Sequence, residues 1–181
     1  MKRSIFIFLV IGITILFFGC SNDEPSAPEL NQSDQVETCL PRRMVTPFSG
    51  IEKFVAVLEQ GTMIQLPNGM ILARGHVTEY YDDASDSRVT GKFVCTATGI
   101  FDDTFSGPAW GAGVLTPDIG GSWDIKMVAK ISSTEGNKVD AFGYGKGAMK
   151  GLVAHWTYTS EPGETDYTIE GFIVEHLKTI R

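Results

Sequence analysis

The chain has 181 residues, 43% of them hydrophobic, with 22 acidic side chains against 15 basic ones and a formal net charge of −7. A surface of that sign repels a polyanion, which argues against nucleic acid as a partner. No metal-ligand spacing and no nucleophile motif occurs, so the sequence implies neither a metal nor another cofactor.

Lys2 and Arg3 precede an apolar run from Ile5 to Phe18, broken only by Gly12 and Thr14. At about 1.5 Å of rise per residue this run reaches roughly 21 Å, short of the roughly 30 Å hydrocarbon core of a bilayer. A basic flank, a short apolar run and a small residue before the cut predict a secretory signal over residues 1–19. Phe17-Phe18-Gly19-Cys20 resembles the lipobox of bacterial lipoproteins, in which a diacylglycerol is attached to the Cys and the signal is cleaved before it. Gly19 meets the small-residue requirement; the family ordinarily has Leu where Phe17 stands and a smaller residue at Phe18. The resemblance implies lipidation at Cys20, the alternatives being an ordinary cleaved signal or an uncleaved anchor. Ser21-Asn22-Asp23-Glu24 is similar to the surface-export signal of Bacteroidota lipoproteins. It implies a lipid-anchored address in the cell envelope, at the outer membrane, with either leaflet open.

Loss of the signal removes Lys2 and Arg3, leaving 13 basic against 22 acidic residues and a net charge of −9. Membrane association would then depend on acyl chains rather than on a basic face. From Cys20 to Thr46 the chain is rich in Ser, Pro, Asn, Gln and acidic residues and reads as a disordered tether. Residues 47–181 are long enough for one domain with its own core. With Cys20 lipidated, Cys39 and Cys95 form an even pair in an oxidising compartment. A disulfide between them is one reading; two free thiols is the other.

The domain reads as all-β. Trp123, Ile125, Met127, Ala129 and Ile131 share one parity, and Leu152, Ala154, Trp156 and Tyr158 another such set, as in strands with one buried face. Turn signals bracket candidate strands at 47–58, 62–66, 70–81, 88–101, 110–116, 122–132, 138–147, 150–160 and 166–176. A helix is plausible only near 51–59. Short connections predict an antiparallel meander of eight or nine strands, closed into a small barrel or split into a two-sheet sandwich. Alternating glycines at Gly111 and Gly113, and at Gly143, Gly145 and Gly147, mark bending or close approach by bulky neighbours. Trp110, Trp123 and Trp156 can supply that bulk, which favours the barrel.

The closing region, Ala141-Phe142-Gly143-Tyr144-Gly145-Lys146-Gly147 through His155-Trp156 to Ile169-Glu170-Gly171, resembles the Gly-rich late strands of small bacterial barrels. Those are similar to the allene oxide cyclase and dirigent barrels of the calycin-like group. The likeness covers about the last 90 residues and implies a barrel with an apolar interior. No cyclase catalytic motif matches, so no catalytic residue is carried over.

Candidate sites are few. Tyr80, Trp110, Trp123, Trp156 and Tyr158 are the side chains expected to line a ligand cavity, with aromatic core packing as the alternative. His76, His155 and Glu170 are candidates for acid–base chemistry, although alternation puts His155 opposite Trp156 and so outside. His176 shares no spacing with the other two histidines. Asp82, Asp83 and Asp86 read as a solvated hairpin turn rather than a calcium loop, as do Asp102 and Asp103. No carboxylate pair is apparent. Three functions stay open: a non-catalytic binder of a small apolar ligand or an envelope protein, a cyclase- or isomerase-type enzyme, and a structural or adhesive module with a packed interior. An interior with no void above about 300 Å³ would argue for the packed module over the two ligand readings, and titratable groups such as His155, His76 or Glu170 pointing into a cavity would favour chemistry over binding.

Overall fold

The computed structural model describes residues 43–176. In chain order they form β1 (Arg43–Glu59), β2 (Thr62–Gln65), β3 (Ile71–Ala84), β4 (Gly91–Phe101), β5 (Gly107–Pro117), β6 (Ser122–Ile131), β7 (Asn137–Lys146), β8 (Leu152–Ser160) and β9 (Tyr167–His176). A 3-10 turn, Gly147–Met149, lies between β7 and β8. All nine expected strands are present. The helix entertained for 51–59 is not: that segment is the second half of β1, and its Val55, Val57 and Phe54 suit a pleated surface. β1 also begins at Arg43, inside the segment expected to be tether.

Neighbouring strands from β3 to β9 pair antiparallel in sequence order. The ring is closed by β1, whose first half pairs with β9 (Arg43↔His176 to Glu52↔Tyr167) and whose second half pairs with β3 (Gly50↔Ala84 to Glu59↔Val77). A strand hydrogen-bonded on both sides at Gly50, Ile51 and Glu52 leaves no open edge there, which selects the barrel over the sandwich. β2 then runs beside the start of β3 (Thr62↔Arg74 to Gln65↔Ile71), past the end of β1 and outside the eight-stranded ring.

The two ends differ. At one end lie the β3–β4, β5–β6 and β7–β8 connections and both ends of the described chain. Val89, Leu115, Trp123 and Met149 are buried here and form a packed floor. Trp123 Nε1 donates to the Arg88 carbonyl at 2.7 Å, tying the wall to the β3–β4 turn. Trp156 meets Trp123 edge-on, with centroids 5.6 Å apart, and Phe48 in the same manner at 5.9 Å. The glycines make room for these rings. A Cβ on Gly143 would lie 2.5 Å from the Trp156 ring, one on Gly171 2.5 Å from Phe48, and one on Gly113 2.6 Å from Phe93. At the opposite end a cleft opens beside the β1–β2 connection, with Gln60, Met63 and Phe101 in its lining.

Trp110 departs from expectation. It sits in β5 between inward Ala109 and Gly111, opposite Thr98 and outward Val128, and is 45% exposed. Only two of the three tryptophans fill the interior; Trp110 reaches the cavity at its rim.

Candidate functional site

Between floor and mouth lies a cavity of about 160 Å³. Its wall is mainly aromatic and apolar: Tyr80 from β3, Phe93 and Cys95 from β4, Met127 from β6, Tyr158 from β8 and Tyr167 from β9. Tyr80 stacks on Phe93 with centroids 6.4 Å apart and meets Tyr167 edge-on at 6.3 Å. A cleft of about 190 Å³ adjoins at the mouth and shares His76, Ala97 and Ala109 with the cavity. His76 Nδ1 lies 3.3 Å from the Gln60 carbonyl, which holds the ring at the rim.

Glu52 is the acid on the cavity wall. It is 4% exposed, and its direct cross-strand partner Asp82 is fully buried. Both belong to the inward parity of their strands. Contrary to the solvated turn expected at Asp82 and the absence of a carboxylate pair, Asp82 is buried in β3 and faces Glu52. β3 continues through Ala84, and the connection that follows is held by Asp86, which accepts from the Arg88 guanidinium at 2.6 Å and from its backbone at 2.9 Å. Asp102 does match its expectation, closing the β4–β5 turn by accepting from Thr104 and Ser106 backbones at 2.8 and 3.0 Å.

Burial governs the chemistry of the pair. Desolvation raises the Glu52 carboxyl well above the ordinary range, and the nearby Asp82 charge raises it further. Desolvation pushes Asp82 up to about 7, against the lowering effect of hydrogen bonds from Tyr158 and Glu52. The Tyr158 hydroxyl donates to Asp82 Oδ2 over a long 3.4 Å, and Oδ1 has no partner unless protonated Glu52 supplies one. The two facing carboxyls can share a proton, and burial favours the protonated form of each. Such a group can donate a hydrogen bond or a proton inside the cavity. Cys95 beside it is no nucleophile: burial and the two acids push its thiol up to about 12.

The remaining candidates lie apart from this group. Trp123 and Trp156 belong to the floor and do not line the cavity, whereas Tyr80 and Tyr158 do. His155 points outward, its ring between Phe142 at 4.5 Å and Phe172 at 5.4 Å. Glu170 lies beside it on a shallow outer groove, so neither shares a space with Glu52. Cys20 and Cys39 lie outside the described residues, and with them the lipid site and one half of the expected disulfide. Comparison with protein-family models, curated proteins and solved structures finds no match.

Proposed function

We propose that the protein is a lipid-anchored binder in the cell envelope that takes a small, mainly apolar molecule into its barrel. The cavity carries this reading. A protein void of about 150 Å³ is enough to hold benzene, and this one measures about 160 Å³ with a further cleft at its mouth. It falls below the roughly 300 Å³ of a site for drug-sized ligands, so a ring or a short chain fits and a large molecule does not. Alone the cavity is short of the roughly 300 Å³ set for a ligand site, and it is the adjoining cleft of about 190 Å³ that favours a small ligand over a packed adhesive module.

The anchor is supported by the leader and by Cys20. Mass spectrometry of the mature N-terminus should find diacylglyceryl-Cys20, and Cys20→Ser should move the protein to the soluble fraction. Retention of that variant in the membrane would count against the anchor. For the cavity, titration with benzyl alcohol should shift the amide and side-chain resonances of Cys95 and Met127 saturably, and Met127→Trp should abolish the effect. Shifts that never saturate would defeat the binding role.

A cyclase- or isomerase-type activity is the second reading, favoured by one observation: a buried carboxyl, Glu52, held above its ordinary pKa by desolvation on the wall of a mainly aromatic and apolar cavity. Turnover abolished by Glu52→Gln with ligand affinity retained would establish it.

A further inference from the structure

The base of the cavity holds two buried acids for which the described residues supply no cationic partner. Glu52 and Asp82 are buried together, and among the described residues neither takes part in a salt bridge. Asp82 Oδ1, without solvent contact, has no hydrogen-bond partner unless protonated Glu52 supplies one. Buried carboxylates are ordinarily paired with a cation or kept protonated, and only the second course is open here. Above the pair stand the rings of Tyr80, Phe93, Tyr158 and Tyr167. No Lys or Arg lines the space, and His76 is held at the rim by Gln60.

Carboxylate below and aromatic rings around is the chemistry that receives an ammonium group. The ring quadrupole attracts the cation and the acid pairs with it. A neutral alcohol or carbonyl would satisfy a hydrogen bond but bring no countercharge. A carboxylate would meet a second acid of its own sign. A bare metal ion needs six or more oxygen ligands if it is calcium, or a near-ideal octahedron if it is magnesium, and an aromatic wall offers neither. The net charge of −7 also draws small cations toward the molecule.

We propose that the barrel binds a small organic ammonium, an apolar body of about benzene size with its amine seated on Glu52. The inference rests on the binding role above and narrows its ligand class. In the bound state the ammonium replaces the shared proton as the partner of the pair, and the rings enclose the apolar body.

The test is a calorimetric titration of the full-length protein with benzylamine, benzyl alcohol and benzoate, at about pH 7.5 where an alkylamine is charged. Benzylamine should bind at least about tenfold tighter than benzyl alcohol, a difference of about 1.4 kcal/mol, and benzoate should not bind. Glu52→Gln should bring the amine to within about twofold of the alcohol; Asp82→Asn should narrow the gap in the same direction. Alcohol binding equal to or tighter than amine binding overturns the inference and leaves the binding role standing, as does an amine preference that survives Glu52→Gln. Absence of saturable binding by all three probes defeats the binding role and this inference with it.

Discussion

Glu52 of β1 and Asp82 of β3 are direct cross-strand partners on the inside of the barrel, two acids facing each other with no base between them. Both are held above their ordinary pKa by burial, so the folded state binds more protons than the unfolded chain. For a carboxyl raised in this way there is no penalty below the unfolded pKa. The penalty grows as pH rises through that value and is complete above the folded one, at about 7 for Asp82. Stability should therefore fall between about pH 4 and pH 8, and Asp82→Asn should flatten the fall and raise the thermal midpoint at about pH 8 by roughly 5 °C. A midpoint that climbs across this range in the wild-type protein would contradict the assignment.

On the acid side the sign reverses. Asp86, lowered chiefly by the Arg88 hydrogen bonds, and Asp102 and Glu135, lowered by Thr104 and Lys130, favour the folded state only while ionised. Their contribution is present above the unfolded carboxylate range and is lost as pH falls below it. Denaturation midpoints measured across pH should show a maximum at mildly acidic pH rather than at neutrality.

The two buried tryptophans should respond unequally to the same substitution. Trp123→Phe removes a 2.7 Å hydrogen bond and leaves the Arg88 carbonyl without its donor. Trp156→Phe removes an indole N–H that has no acceptor. Both lose ring volume, so urea unfolding should find Trp123→Phe more destabilising by about 1–2 kcal/mol. Equal losses would mean that the Trp156 nitrogen has a partner.

Gly143→Ala should be costly because its Cβ would fall 2.5 Å from Trp156, a fully buried ring with nowhere to retreat. Overpacking of this kind costs about 1–3 kcal/mol, and chemical denaturation measures it directly. A loss within experimental error would show that the indole can shift.

Cys95 should resist alkylation in the folded protein and react freely in denaturant, because its thiol is buried and pushed up to about 12. Iodoacetamide labelling followed by mass spectrometry reads both states. Absence of labelling even in denaturant would mean a thiol already tied up, as a bridge to Cys39 would do.

The sequence carried the strands well because period-two alternation and glycine-rich turns are local signals, and each β-hairpin from β3 to β9 is a local event. The acid pair was illegible for the opposite reason. Glu52 and Asp82 meet only because β1 skips over β2 to reach β3, and no short-range pattern encodes that pairing. Asp82 was further disguised by its neighbours: Asp83-Ala84-Ser85-Asp86-Ser87 has turn composition, yet β3 runs on through Ala84 before the chain bends. Parity from Thr78 through Tyr80 would have put Asp82 inside. Trp110 misled by its size, since the inward positions beside it are Ala109 and Gly111, and a large ring on the outer face leaves no mark in the alternation.

The double pairing of β1 has a consequence for how the molecule is made. Among the described strands, the first to leave the ribosome is also the one that must hold the last, Arg43 against His176. Until β9 arrives, β1 can rest only on β3, and the rim of an unfinished ring stays exposed to any other chain with a free edge. Closure by such distant partners slows folding and lengthens that exposure. A chain built this way gains from a guardian during synthesis and transit, and loses more from truncation at its tail than from a nick in any single hairpin.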